Sequence, residues 1–293
     1  MGKHAFLIIA HNDWPLLSKL LTCLDDKRNS IFIHIDEKSN FEFKDVYEPS
    51  ESECVYIKKQ KVMWGGESLI SVEMSLIKAA IEYNHFDYLH LMSGQDLPLK
   101  TQDEIHRWFN NHQGGNFISQ DSNLNNLIIN RISKYWFLQN IAGRRRGILF
   151  GLLRRLDRVS VRLQEILKVD RTKKIPMRIY KGDNWFSITG DMAEILLAFE
   201  TQIRSWFGKG WCADELFLQT IAYNSSLKDT IVNDSLREID WKRGNPYIYT
   251  VDDKELLLSS KKLFARKFSM EIDNEIINIV YNRVKGYERI IND

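Results

Sequence analysis

Two acids and two cations in the second half of this 293-residue sequence stand out by type and spacing. The segment LFARKF, residues 263–268, sets Arg266 and Lys267 side by side in an apolar frame of Leu263, Phe264 and Phe268. Burying a cation without a partner costs on the order of several kcal/mol. The partner is either a carboxylate from a neighbouring element or a ligand phosphate, which a forked guanidinium and a compact ammonium both suit. The segment WCADELFLQT puts Asp214 and Glu215 at the start of a predicted helix. Acids there favour the helix dipole without needing any further role. The flanking Trp211 and Cys212 are consistent with a pocket.

Other polar residues gather where predicted strands end. The first strand runs into His11-Asn12-Asp13, the second into Asp36-Glu37-Lys38, and the fourth into Ser93-Gly94-Gln95-Asp96. Singly these are turn and cap residues. Three such ends along one edge mark a site, because ligands of open α/β sheets bind beyond the carboxyl ends of strands. Neither GxGxxG nor GxxxxGK[ST] is present, which argues against a dinucleotide oxidoreductase or a P-loop enzyme. Cys23, Cys54 and Cys212 are few, odd in number and widely spaced, so neither a metal motif nor a disulfide framework follows. That usage suits a reducing compartment.

The elements that must position these residues follow from periodicity. AFLIIAH and SIFIHID are apolar on both faces, as strands of a helix-covered parallel sheet are. Between them, Leu16, Leu17, Leu20, Leu21 and Leu24 repeat at helical spacing, with Pro15 suited to a first helical turn. CVYIKK, YLHLMS, GGNFISQ and DNWFSIT read as further strands. LISVEMSLIKAAIEYN, DMAEILLAFETQI and DELFLQTIAYNS read as helices, as do most of the last forty residues. Thr101 with Glu104 predicts a capping box opening a helix over 102–112. The alternation predicts an α/β fold with a doubly wound, mostly parallel sheet. Residues 143–178 differ, with twelve Arg or Lys against Asp157, Glu165 and Asp170. This basic stretch is either a solvated helix with a core-facing stripe or a peripheral contact with an anionic membrane. Net charge is only +2, which gives no reason to expect a nucleic-acid partner. No apolar run is long enough to span a bilayer.

Taken together and in order, LIIAHND, IHIDEKS, VMWGGESLI, YLHLMSGQDLPLKTQDEI, ADELFLQTIAYNS and LFARKF resemble the core-2/I-branching β-1,6-N-acetylglucosaminyltransferase family, which includes the peptide O-xylosyltransferases. The resemblance runs from about residue 4 to 269. It implies one glycosyltransferase domain over 1–293 with a GT-A-like, Rossmann-type sheet: a nucleotide-binding half over 1–120, and an acceptor and catalytic half over 121–293 ending in helices. It also implies inverting, metal-independent transfer from a UDP-sugar, with N-acetylglucosamine the first choice of sugar, to a glycan or lipid-linked glycan. No other cofactor is implied. Without the animal enzymes' anchor and stem, the chain resembles a bacterial member acting in surface-polysaccharide synthesis, cytoplasmic or at the inner face of the plasma membrane.

The resemblance assigns roles residue by residue. Glu215 falls on the general base and Asp214 beside it. Ile9, His11 and Asp36 fall on uridine contacts. Lys267, with Arg266 as its xylosyltransferase-like partner, falls on the cations that replace a metal at the diphosphate. Trp185, Gln95 and Asp96 fall on the sugar and acceptor side. The Arg that branching enzymes carry upstream has no counterpart in NPYIYTVDDKEL, leaving Arg266, Arg237 or Arg243 as the second cation. Two other readings remain at this stage. One is a glycoside hydrolase using paired carboxylates such as Asp96 and Glu215; the other is a carbohydrate-binding protein without activity.

Overall fold

The computed structural model describes residues 2–121 and 125–286. Its strands are β1 (His4–Ala10), β2 (Asn29–Ile35), β3 (Glu53–Tyr56), β4 (Tyr88–Ser93), β5 (Asp96–Pro98), β6 (Asn116–Ile118), β7 (Phe186–Thr189), β8 (Ile231–Val232), β9 (Arg237–Ile239) and β10 (Phe264–Arg266). Seven form one sheet in the order β3-β2-β1-β4-β7-β6-β8. The pairs β3-β2, β2-β1, β1-β4 and β6-β8 are parallel, and β7 is antiparallel to both its neighbours. This is the mostly parallel, helix-flanked sheet that the strand–helix alternation predicts.

Every residue of β1 and β2 is buried, and alternate side chains serve opposite faces. Ala5, Leu7 and Ile9 pack with helices Glu67–Tyr83, Gly190–Ala198, Glu200–Phe207 and Asp214–Tyr223. Phe6, Ile8 and Ala10 pack with helices Trp14–Leu24, Gln102–Asn111 and Asn274–Lys285. Two cores thus sandwich the sheet, which is why its strands read as continuous apolar runs. The capping box forms: Glu104 N–H donates to Thr101 Oγ1 at 3.2 Å, and Thr101 N–H donates to Glu104 Oε2 at 2.8 Å.

Three expectations are amended. The helix expected from DMAEILLAFETQI is two, meeting at Phe199 (φ −96°, ψ 10°). The last forty residues include β10 as well as helices, and residues 287–293 lie outside the described residues. A second sheet, β5-β10-β9, also forms. In it Arg266 is registered against Asp96 and Phe264 against Pro98. Its partners are far apart in sequence and only three residues long, so no local period announces it. It brings LFARKF to the carboxyl end of β4.

Arg237, offered above as a second diphosphate cation, instead ties the two sheets together. It is buried. Its guanidinium donates to Ser187 Oγ (2.7 Å), Leu91 O (2.9 Å), Phe186 O (2.7 Å) and Ser235 O, and lies over the Phe264 ring. Arg243 pairs with Asp240 and Asp253. Arg237→Ala removes four charged hydrogen bonds and leaves a cavity, so it should lower unfolding free energy by about 3–5 kcal/mol. Urea denaturation measures this, and a loss below about 1 kcal/mol would show that Arg237 is not the tie described.

Candidate active site

The ends of β1, β2, β4 and β10 converge on one edge. Gly94 N–H donates to Ile9 O (3.0 Å) and Asp36 N–H to Ala10 O (2.9 Å), which locks the three main strands there. Ile9 has its side chain in the core. Asp36 is buried and pairs with Lys38 at 2.6 Å. Burial works to raise its carboxyl, but the Lys38 side chain and backbone N–H outweigh that and hold it below the usual range. His11 is exposed to solvent on one side. Enclosure by protein and then the Lys267 ammonium lower its pKa, against the pull of Asp36.

The two cations of LFARKF diverge. Arg266 donates to Asp96 Oδ1 and Ser93 Oγ, each at 2.6 Å, and its guanidinium carbon lies 4.0 Å from the Trp185 ring centroid. Ser93 N–H and hydroxyl also donate to Asp96. Asp96 is therefore fully enclosed and committed to internal partners. Trp185 is only 7% exposed beneath the guanidinium. Gln95 is buried and accepts Phe268 N–H through its carbonyl at 3.0 Å. Lys267 is half-buried and, among the described residues, makes no ion pair. Burial, then Arg266, lower its pKa; Asp96 opposes and Arg144 adds to the lowering. Arg144 itself sits 3.5 Å from the Trp64 ring centroid. Arg266 thus has an internal carboxylate, whereas Lys267 has no ion pair among the described residues.

The acids lie on a second wall. Glu215 is one-third exposed and accepts from Arg131 at 2.6 Å, with Lys181 Nζ at 3.7 Å. Gly182 N–H donates to Glu215 O at 3.0 Å, and a Cβ on Gly182 would meet Ser119 O at 1.9 Å. That close approach demands glycine. Asp214 is buried and its Oδ1 has no partner. Burial first, then the charge of Glu215, push its carboxyl up to about 7. Below it lies Glu73, wholly buried on the helix Glu67–Tyr83, with Asn184 Nδ2 at 3.5 Å and Oε2 unpartnered. Burial, then Asp214, hold Glu73 well above the usual carboxylate range. Asp183 is raised too, chiefly by burial. Cys212 N–H donates to Gly65 O (2.9 Å), and Gln139 Nε2 donates to Trp64 O (2.7 Å). These bonds join the acid wall to the loop that carries Trp64, and hence to Arg144.

The sequence profile of Core-2/I-branching enzymes matches residues 4–256. The chain belongs to that family. It is 23% identical over 306 residues to Xylosyltransferase 2 of Rattus norvegicus, covering 94% of this chain and 33% of that protein. It is 21% identical over 290 residues to Xylosyltransferase of Ciona intestinalis, covering 89% and 32%. It is 24% identical over 279 residues to Xylosyltransferase sqv-6 of Caenorhabditis briggsae, covering 84% and 32%. The chain spans about a third of the length of these relatives. The solved structure of S. aureus TarS aligns at 10% identity and TM-score 0.28 over 45% of this chain and 24% of that one, a likeness too slight to argue from.

These relatives bear xylosyltransferase names. The structure sets His11, Asp36, Arg266 and Lys267 along one strand edge; sequence reasoning did not single out Lys38, Arg131, Arg144, Lys181 or Glu73. Arg144 lay within a run of arginines that masks any one of them. Glu73 sat on an amphipathic helix where an acid reads as solvated. Among the described residues, no three His, Cys, Asp or Glu side chains are grouped to hold a metal ion. A 260 Å³ cavity bordered by Tyr135, Arg171, Lys174, Arg204 and Lys209 is lined by none of the predicted site residues.

The raised Asp214 carboxyl has a consequence for stability. A carboxyl whose folded pKa exceeds its unfolded value of about 4 contributes fully below that value, and loses its contribution as pH rises through its folded pKa. For Asp214 the upper limit is about 7. The change in Tm caused by Asp214→Asn should therefore be more favourable at pH ~8 than at pH ~4. Calorimetry at both pH values checks this, and an equal change at each would mean that Asp214 titrates normally.

Proposed function

We propose that this enzyme transfers a sugar from a UDP-sugar to a glycan hydroxyl with inversion, using side-chain cations in place of a metal ion. The observation that carries this reading is Lys267: a half-buried ammonium at the strand ends, beside Arg144 and an already neutralised Arg266, with no ion pair of its own among the described residues. Charge of that sign, held unpaired in a partly dry place, suits a diphosphate. His11, near the same ammonium, and Asp36, near His11, border the place for the nucleoside. The xylosyltransferase names of the relatives keep xylose beside N-acetylglucosamine as donor sugar. The acceptor is a glycan, lipid-linked or free, as in surface-polysaccharide synthesis.

In this reading Glu215 takes the proton from the acceptor hydroxyl as its oxygen bonds to the anomeric carbon. The bond from that carbon to the β-phosphate oxygen breaks on the opposite face, and the electron pair leaves with UDP. Lys267 stabilises the charge that grows there, with Arg144 as the second cation. Arg266, fixed by Asp96 and Ser93, holds the segment and the Trp185 ring in place. Glu215 suits the base better than Asp214 because it is one-third exposed, whereas Asp214 is only 7% exposed. Arg131 and Lys181 orient its carboxylate. The burial and pairing of Asp96 weigh against the hydrolase reading, which needs two accessible carboxylates.

Glu215→Gln should reduce transfer by about 10²–10⁴-fold while leaving UDP affinity near the parent value. Lys267→Ala should weaken UDP binding and slow transfer, the barrier rising by about 3 kcal/mol. Calorimetric titration with UDP and a donor-turnover assay read both variants. Undiminished turnover in Glu215→Gln would remove the base assignment. A second test is chelation: activity should survive EDTA, and a loss restored by manganese would overturn metal independence. Absence of both UDP binding and donor turnover in the parent would favour a carbohydrate-binding protein.

A further inference from the structure

The helix Ile148–Ile166 is turned inside out. Its apolar residues Leu149, Leu152, Leu156, Val159, Leu163 and Ile166 recur at alternating spacings of three and four, the pattern of a core-facing stripe. All six are exposed, at 49–76%. The residues that face the protein are Asp157, Val161 and Gln164. Asp157 accepts Leu138 N–H at 3.2 Å from each carboxylate oxygen. Gln164 accepts Tyr135 N–H (2.7 Å) and donates to Tyr135 O (2.9 Å). The helix is thus docked by its polar side, and its apolar stripe is left uncovered.

Charge decides what covers it. Arg155, Arg158 and Arg162 are exposed along one border of the stripe, Arg145 and Arg146 precede it, and Lys168 follows. Among the described residues none of these six makes an ion pair. Glu165 is the helix's one exposed acid. A second copy packed along the same stripe would bring two arginine borders together. An apolar stripe bordered by cations instead matches a bilayer surface, where lipid tails receive the leucines and anionic headgroups receive the arginines. We propose that this helix lies in the surface of an anionic phospholipid bilayer. The inference does not depend on which sugar is moved. It has a geometric consequence: Arg144 lies four residues before the first helical residue and reaches the Trp64 and Lys267 side of the site, so the membrane face begins near the rim of the candidate active site.

Cosedimentation of the purified chain with vesicles tests this. It should bind phosphatidylcholine vesicles containing phosphatidylglycerol, bind pure phosphatidylcholine weakly, and be released by salt. Arg155→Gln, Arg158→Gln and Arg162→Gln combined should weaken binding on the order of 100-fold, about fivefold for each cation. Leu152→Ser with Leu156→Ser should abolish binding with unchanged circular dichroism, because both residues are exposed. No binding to the anionic vesicles would overturn the proposal, as would binding that survives both variants. A dimer in light scattering that the Leu152→Ser, Leu156→Ser variant dissolves, without vesicle binding, would overturn it in favour of self-association.

Discussion

The pairing of β10 with β5 is the constraint on which the candidate site depends. It places a segment from near residue 266 against a turn at residue 96, and the Arg266–Asp96 ion pair closes it in a nearly dry space. Asp96 is held in turn by Ser93, the last residue of β4. A central strand of the main sheet, a tight turn and a distant C-terminal segment therefore share one hydrogen-bonded knot. An ion pair so buried contributes little net stability by itself. Its effect is positional, since removing either charge would leave the other enclosed and unpaired. The neighbouring Phe268 N–H to Gln95 O bond extends the same register.

Around this knot both sides of the site mix charges: Lys38 meets Asp36 at the strand ends, and Arg131 meets Glu215 among the acids. On the strand-end side Lys38 and Arg266 are paired, whereas Lys267 makes no ion pair among the described residues. On the acid side three carboxyls, Glu73, Asp183 and Asp214, are pushed toward their neutral forms by burial. Glu215, beside these three, is one-third exposed and has Arg131 and Lys181 next to its carboxylate. Desolvation outweighs hydrogen bonding at Asp214 because Oδ1 has no donor to offset it. At Asp36 the balance is the reverse, because Lys38 supplies two donors.

The half of the fold built from local periods was legible in the sequence. β1 and β2 are apolar on both faces because helices cover both, and Thr101 with Glu104 announces its helix chemically. The strand-end polar clusters could be read because parallel sheets gather their carboxyl ends on one edge. What could not be read depends on contacts distant in the chain. The partner of Arg266 is 170 residues away, and nothing near LFARKF signals it. The same distance hid Arg131 and Lys181, whose side chains meet Glu215 only after folding. Arg237 looked like a free cation because its acceptors are mostly backbone carbonyls, which every sequence supplies. For the helix Ile148–Ile166 the period correctly grouped the apolar residues on one face. A period does not say which way that face points, and here two polar side chains, Asp157 and Gln164, took the inner position by bonding to backbone atoms at 135 and 138.

The division of labour between Arg266 and Lys267 follows from the same geometry. Two adjacent cations facing one cleft would repel each other and leave the strand end unfastened. Two cations both paired inside would fasten it but leave no charge for an anion. Arg266 is the last residue of β10 and Lys267 lies just past it, so one residue holds the strand end while the next has no ion pair among the described residues. Arginine suits the holding position because one guanidinium nitrogen bonds Asp96 and Ser93 together while the flat face covers Trp185. Lysine suits the open position because a compact ammonium can meet an anion from several directions. Exchanging the two would remove the planar face that lies over Trp185, so the order Arg-Lys carries structural meaning that the bare presence of two basic residues does not.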